Sequence, residues 1–460
     1  MAIYYIGMLL GVFNMIVLLP KVLSPVNFGI LRLLFPFASI LTLFSLLGVS
    51  NIIVRFFPLF NDEKRAYGSL LTLGLLIAGA GLFIFTILFF IFQPFILDLY
   101  DNNSPEFIPY YNFIFPMAVG MTLYEVFNAY CRAQLRTVYP NLINEVYVRL
   151  AVVVITVFYI IKLLDFQAFL VCFVSIYLSV GIILMFYLKN QNELILARDK
   201  RVFNKLTLRE IGKYGVFNFM GGAAGSLVDK IDILFIGYIG VVEAAVYSIA
   251  IQLTIAISFP AKGLMLILFP ITADAFKNND MVKVKKMYAS SSDNQLLLGS
   301  IVFLLIWINF DSFFSLIHPE FLKGKEVFLF LGMARVFDMA TGINGTIIIN
   351  SKYYKYDLLF TSLLVGLTIV TNYYLIPIYG MVGGAIATAL SIVIYNIIKY
   401  FFVWTKLKMQ PFTYQTLRIV LVLAIITIIS QLLPRIPNPY LDILYKTAIT
   451  GGLSLAGIMF

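Results

Sequence analysis

Charge, cysteine, histidine and tryptophan are all scarce in this chain of 460 residues. Only 12% of the residues are charged, roughly half the share of an ordinary soluble domain. Two cysteines, Cys131 and Cys172, and a single histidine, His318, exclude a disulfide framework, a zinc cluster and a His-centred catalytic triad. No glycine-rich loop ends in Gly-Lys-Ser or Gly-Lys-Thr, and no polar segment reaches the size of a soluble domain. That excludes an ATP-driven pump acting by itself. The first apolar stretch lacks a basic leader and a small-residue cleavage site, so it is expected to stay as a membrane span rather than be removed as a signal peptide. The abrupt apolar start at Met1 and stop at Phe460 lead us to expect short polar ends beyond the numbered residues.

What abounds is apolar surface. Hydrophobic residues make up 61% of the chain, and the mean hydropathy is +0.95. No aqueous core needs so much, but the outer faces of membrane-spanning helices do. A span takes about twenty mostly apolar residues. Uncharged runs place spans at 1–20, 33–54, 66–97, 109–131, 140–161 and 166–188. After the polar stretch 189–213 they resume at 214–236, 244–272, 294–316, 327–350, 357–377, 380–404, 416–433 and 443–460. The uncharged run 358–398 must be two helices, because Pro377-Ile378-Tyr379-Gly380 interrupts it. A membrane β-barrel is excluded, since its strands are about ten residues of alternating polarity and these runs are continuous and longer. The fold class is therefore all-α and polytopic, with about fourteen transmembrane helices.

The net charge is +10, and its placement orients the chain. With the N-terminus in the cytoplasm, 22 of the 33 Lys and Arg fall in cytoplasmic loops, Lys399 among them, and seven fall outside, including Arg32 and Lys446. Four lie within spans: Arg149, Lys230, Lys262 and Arg335. Both termini are then cytoplasmic. The bias accounts for much of the basic balance without an anionic partner, and nothing points to nucleic acid. The stretch 274–288, with Lys277, Lys283, Lys285 and Lys286, reads as an amphipathic surface helix.

The densest basic loop, 189–213, separates six spans from six. The expected domains are a lobe at 1–213 including this linker, a lobe at 214–404, and two appended helices at 405–460. The halves echo each other weakly: Arg132 to Arg136 follows the fourth span of the first, and Lys352 to Lys355 the fourth of the second. A helix ending in Phe57-Pro58 in one half matches a helix ending in Phe269-Pro270 in the other. Two six-helix halves inserted in the same orientation imply a pseudo-twofold axis along the membrane normal, a transporter signature.

Three segments carry a family resemblance. The first hairpin reads Leu19-Pro20-Lys21-Val22-Leu23-Ser24-Pro25-Val26-Asn27-Phe28-Gly29-Ile30 and runs on to Gly48-Val49-Ser50-Asn51-Ile52-Ile53-Val54-Arg55-Phe56-Phe57-Pro58. The seventh span holds Asp229-Lys230-Ile231-Asp232-Ile233-Leu234-Phe235-Ile236-Gly237. A late hairpin holds Ile376-Pro377-Ile378-Tyr379-Gly380-Met381-Val382-Gly383-Gly384-Ala385. In order and spacing these resemble the bacterial polysaccharide flippases of the O-antigen type, similar in fold to multidrug extruders and lipid II flippases. The resemblance covers most of residues 1–404. It lacks the polar residues that normally precede the first helix. It implies translocation of a polyprenyl-diphosphate-linked oligosaccharide to the outer leaflet of the bacterial inner membrane. Such a protein would work beside glycosyltransferases and a polysaccharide polymerase in lipopolysaccharide and other surface-glycan synthesis.

Ionisable groups inside spans default to functional roles. Asp229 and Asp232 share a helix face, with Lys230 turned about 100° away. Three charges in four residues cannot all face lipid, so this span is expected to border a polar cavity. Glu145–Arg149 and Arg335–Asp338 have the spacing of local ion pairs, which could simply neutralise themselves. Glu125 is alone, and Lys262 either snorkels or steadies a break beside Pro260. A diphosphate needs cations on its path, and Arg32, Arg55, Arg149, Lys230 and Arg335 are the candidates. Arg32 and Arg55 could equally anchor the two ends of one span. Asn51, Asn128, Asn144, Asn218, Asn344 and Asn350 could face the glycan or serve as interhelical glue. No cofactor is called for. Glu125, Glu145, Asp229 and Asp232 are candidates for binding H⁺ or Na⁺ during resetting, although an inside-negative potential already favours outward movement of an anion by about 2.3 kcal/mol per charge per 100 mV. Gly221, Gly222 and Gly225 are expected to permit close helix packing.

Two other functions compete. A small-molecule cation antiporter of the same fold would want unbalanced carboxylates in its cavity, whereas the spans here are balanced or basic. A membrane glycosyltransferase or polymerase would want a large external loop with catalytic groups. The longest external loop, near 98–108, has no cation.

Overall fold

The computed structural model describes the backbone of residues 2–60 and 63–459, with all side chains there except those of residues 2–5, 217, 220–226, 228, 229 and 455–459. The described residues are helical almost throughout, and every span expected above coincides with helix. Among the described residues, eight helices are long and apolar enough to cross a bilayer, and there are shorter apolar helices besides. The chain packs into two compact units, Met1–Ala245 and Val246–Phe460.

The first unit opens with α1 (Ala2–Val12), which passes through a π-helical stretch, Phe13–Leu18, into α2 (Leu19–Val22). Ser24 then caps α3 (Pro25–Leu46) by accepting the Asn27 N–H at 3.2 Å, with Pro25 at the first helical position. Leu47 and Gly48 at positive φ break this span before α4 (Val49–Phe56). A Cβ on Gly48 would come within 2.6 Å of the Gly215 carbonyl, so the break needs glycine for space as well as for conformation. Next come α5 (Lys64–Asp101), α6 (Ile114–Ala133) and α7 (Val138–Leu142). A second π-helical stretch, Ile143–Tyr147, leads into α8 (Val148–Ile160), followed by α9 (Phe166–Asn190) and α10 (Lys205–Ile239). Much of α5 presents large apolar side chains outward, Phe83, Ile91 and Phe95 among them. Water would penalise that face and lipid does not.

By packing, α10 belongs to the first unit, because it lies on α3, α4 and α5. The sequence boundary at 213 instead groups its span with the second half. Tyr100, in the last turn of α5, donates to the Leu234 carbonyl, and Asn103 and Ser104, just beyond it, donate to those of Tyr238 and Gly237, holding the C-terminal end of α10. The loop near 98–108 is thus a helix cap.

The basic linker is held down on the first unit. The Glu193 carboxylate accepts from Tyr67 at 3.1 Å and Gln134 at 3.2 Å and pairs with Arg136 at 3.5 Å. Farther along, the N–H groups of Ala197 and Asp199 donate to Thr72 and Ser69 on α5. Glu193→Ala should free this strap and speed tryptic cleavage at Arg198 to Arg201 several-fold, as read by limited proteolysis. Hydrogen bonds from Arg201 hold the Asp199 carboxyl below its usual range. A carboxylate lowered in this way stabilises above its unfolded pKa and loses that contribution as pH falls through the folded one. The mobility of a spin label at Lys200 should therefore be flat from about pH 8 to 5 and rise only below about pH 4.

The second unit holds most of α11 (Val241–Ile257), then α12 (Phe259–Lys277), α13 (Met281–Ser315), α14 (Lys325–Ala340), α15 (Asn344–Asn350), α16 (Lys355–Leu407), α17 (Tyr414–Gln431) and α18 (Pro439–Met459). Gly342 at positive φ separates α14 from α15, and Gly380, at φ 58, kinks α16 just after Pro377, where the sequence requires a break.

Three expectations are corrected here. Residues 274–288 are not a separate surface helix: Asn279 turns the chain at positive φ, and Asp280 caps α13 through the Lys283 N–H. Lys283, Lys285 and Lys286 therefore ride on the first turns of a spanning helix. Lys399 is not a loop residue but lies within α16, 6% exposed, with its ammonium on the Tyr395 hydroxyl at 3.2 Å. Lys446 is likewise buried in α18, paired with Asp442. The α17–α18 pair docks on α13 through Leu304, Leu423 and Ile426 and through hydrogen bonds of Asn309 to Thr447 and Ser312 to Asp442.

Candidate functional site

Two irregular helices meet in the first unit. The π-helical stretch after α1 and the one before α8 each hold a turn wider than an α-helical turn, which frees a backbone carbonyl. Asn14, in the first, donates to the Arg149 carbonyl at 2.8 Å, just after the second. Such paired bulges are where intramembrane polar groups can gather, because side chains take over the backbone bonds the helix gives up.

Arg149 pairs with Glu145 one turn earlier, and Asn144 donates to the Glu145 carboxylate at 3.1 Å. Both charged groups are half-buried. They lie against a glycine face of α1. A Cβ on Gly11 would come within 2.5 Å of the Arg149 Nε, and one on Gly7 within 2.6 Å of Glu145. Gly11→Val should therefore dislodge the guanidinium with the protein still inserted, and lower the thermal midpoint in detergent by several degrees.

Arg32, expected among the external cations, instead lies half-buried within α3, two turns in from its start. Tyr177 of α9 lies within electrostatic range of both Arg32 and Arg149. Arg32 donates to the Met15 sulfur at 3.4 Å, while its Nε is buried without a partner. Among the described residues no carboxylate pairs with it. A half-buried guanidinium whose hydrogen bond goes to a thioether, with its Nε unpartnered, can accept an anion.

Deeper in the unit, Glu125 of α6 sits in the fields of Arg132 and Lys230. Tyr124 feels both Glu125 and Glu145, which links the two groups of charges. Lys230 is half-buried and Asp232 buried on α10, and both are engaged with other groups. The Asp229 side chain, with Gly221, Gly222 and Gly225, lies outside the described residues. Of the five candidate cations, Arg32, Arg149 and Lys230 thus share the first unit's polar interior. Arg55 does not join them: it is exposed at the end of α4 and stacks over the Tyr214 ring at 4.6 Å.

Arg335 lies half-buried on α14, in the second unit. The neighbouring Asp338 carboxylate accepts from Asn396 at 2.8 Å, and the Asn396 carbonyl oxygen accepts from Thr341 at 3.1 Å and Asn344 at 3.4 Å. This closed network spans the break at Gly342, so Asn344 is interhelical glue. Asn350 donates to the Phe269 carbonyl at 3.5 Å and Asn218 to its own helix at 3.1 Å, while Asn51 is exposed and Asn128 half-buried. Lys262 lies over the Phe259 ring at 5.9 Å, beside the chain break at Ser258.

Sequence reasoning misses Asn14 and Tyr177. Asn14 had a signal, being the one amide in an otherwise apolar first span. Tyr177 had none in a chain with 28 tyrosines.

Known proteins share this architecture. The family model described as polysaccharide biosynthesis protein matches residues 1–276. An uncharacterized membrane protein of Methanocaldococcus jannaschii is 22% identical over 466 residues, spanning 96% of this chain and 90% of that protein. Among solved structures, the lipid II flippase MurJ in an inward closed conformation aligns with a TM-score of 0.73 at 14% identity, over 99% of this chain and 97% of that one. An inward-facing multidrug resistance MATE family transporter of the MOP superfamily aligns at 0.65 with 16% identity, over 87% and 94%. At such identities the structural likeness speaks for the fold.

Proposed function

Since the chain belongs to the polysaccharide biosynthesis protein family, we propose that it is a flippase. It carries polyprenyl-diphosphate-linked oligosaccharide from the cytoplasmic to the outer leaflet for surface-glycan synthesis, by alternating access. The observation that carries this reading is Arg32: a span holds a cation whose Nε is buried without a partner, with Arg149 in electrostatic range of the same Tyr177 phenol. That arrangement suits an oxyanion and repels a cationic drug. Arg32 and Arg149 take the diphosphate and Lys230 extends the positive path within the first unit; Arg335 is the candidate cation of the second unit taken by itself. Arg55, exposed, gathers headgroups at the cytoplasmic surface. The prenyl tail stays in lipid and needs no polar site.

Glu125, Glu145, Asp229 and Asp232 are the carboxylates that would bind H⁺ or Na⁺ on the return step. Glycosyltransferases supply the substrate and a polymerase consumes it. The setting is the bacterial cytoplasmic membrane with both termini inside. Burial of Lys446 and Lys399 leaves the charge asymmetry behind this orientation in place.

The test is complementation of a flippase-null strain. Lys230→Ala is expected to abolish surface glycan while the protein level stays normal, and Lys230→Arg to restore part of it. Full complementation by Lys230→Ala would remove Lys230 from the path, and full complementation by Arg32→Ala as well would overturn the anion reading.

A further inference from the structure

At the start of α13, Lys286, Ala289, Ser290, Asp293 and Asn294 follow one another at three- and four-residue spacing, so they share a helix face. Thr413, Tyr414 and Gln415, where α17 begins, stand opposite and close a cavity of about 380 Å³. The Asp293 carboxylate is fixed in its wall by the hydroxyls of Thr416 at 2.5 Å and Thr413 at 3.2 Å. Asn294 donates to Ser290 at 3.3 Å. Lys286 is exposed and, among the described residues, pairs with no carboxylate.

The cavity opens onto an apolar track. Leu298 lies one turn beyond Asn294 on α13, and Leu417 and Leu421 continue the face of α17; all three are exposed. Tyr414, 78% exposed at the mouth, and Trp404, with Phe412 nearby, are the amphipathic and aromatic side chains that collect at a membrane–water boundary. A polar hollow leading into an apolar track is the shape of an amphiphile. Lys283 and Lys285 precede Lys286, and Arg418 shares the face of Tyr414, so the surrounding potential is positive.

We propose that this cavity holds the headgroup of an anionic phosphoglycerol lipid of the cytoplasmic leaflet. The phosphate rests on Lys286. The glycerol hydroxyls meet Asn294 and Gln415 and donate toward Asp293, a bond a quaternary ammonium cannot make, while Lys286, Lys283 and Arg418 disfavour that cationic group. The acyl chains follow Leu298, Leu417 and Leu421. The site involves none of the residues assigned to translocation.

Native mass spectrometry of the delipidated full-length protein tests this, with phosphatidylglycerol, phosphatidylethanolamine and phosphatidylcholine of matched chains added separately. Wild type should retain phosphatidylglycerol roughly tenfold better than phosphatidylcholine, the equivalent of about 1.4 kcal/mol, with phosphatidylethanolamine between them. Lys286→Glu, and separately Asn294→Leu combined with Gln415→Leu, should bring phosphatidylglycerol down to the phosphatidylcholine level. Lys21→Glu, in the other unit, should leave it unchanged. A thermal midpoint within a few degrees of wild type shows that each variant is folded. Equal retention of all three lipids by wild type, or undiminished phosphatidylglycerol binding in both folded cavity variants, would overturn the proposal.

Discussion

Arg149→Ala is expected to abolish export of surface glycan in cells that still make and insert the protein at the wild-type level. Arg149 is held on three sides: by Glu145, by the glycine face of α1, and through its carbonyl by Asn14. A guanidinium so fixed can present its remaining N–H groups to a phosphate without reorganising. Losing two charge-assisted hydrogen bonds of about 1.5–3 kcal/mol each would slow passage by a hundredfold or more. The variant also leaves Glu145 half-buried and unpaired, which by itself destabilises the site. Two further variants separate the effects. Arg149→Lys keeps the charge but not the fork, and should retain the fold with a fraction of the export. Arg149→Ala with Glu145→Ala removes the orphan carboxylate and should restore stability without restoring export. Normal export by the double variant would show the pair to be structural.

Lys446→Ala should lower stability by about 3–5 kcal/mol, the usual cost of leaving one member of a buried ion pair alone. Asp442 is wholly buried and is satisfied by Lys446 at 2.8 Å, Ser312 at 2.5 Å and the Ile436 N–H at 2.9 Å. It therefore ties α18 to α13 and to the loop before it. Without the ammonium, a carboxylate stays in an apolar bundle, and the α17–α18 pair should separate from α13 first. The measurement is disulfide trapping between cysteines placed at Asn309 and Thr447, together with the thermal midpoint in detergent. Lys446→Met combined with Asp442→Leu should recover most of the loss, because two matched apolar side chains need no partner. An unchanged midpoint for Lys446→Ala would mean that the carboxylate reaches water, contrary to its burial.

The contrast between these two sites shows what a sequence of this kind reveals. Continuous apolar runs locate the spans, because only helices satisfy their backbone inside lipid. The break at Gly380 follows from Pro377 and glycine by local rules alone. Glu145 and Arg149 are legible as a pair from their spacing. That Arg32 lies near them is not, since α3 meets α9, Phe35 against Tyr177, only after folding. Asn14 acts through a π-helical stretch, which has no sequence signature. Lys399 and Lys446 look like loop residues because each lies near the end of an apolar run. Their partners Tyr395 and Asp442 sit one turn earlier on the same helices, a pairing that signals burial only once the facing helices are known. The hydrogen-bonded network at Asn396 and Asn344 depends in the same way on α14 and α16 being neighbours.

On the proposed function, a polyprenyl-diphosphate glycolipid crosses the bilayer by way of the Arg32 and Arg149 cations. The most direct measurement is leaflet exchange of a fluorescent polyprenyl-diphosphate sugar in proteoliposomes holding the purified protein, read by a quencher that cannot cross the bilayer. Wild type should make the whole probe pool accessible, faster under an inside-negative potential, while Arg32→Ala combined with Arg149→Ala stays at the rate of protein-free vesicles. A wild-type rate no greater than that of empty vesicles, or a double variant as fast as wild type, would contradict the account.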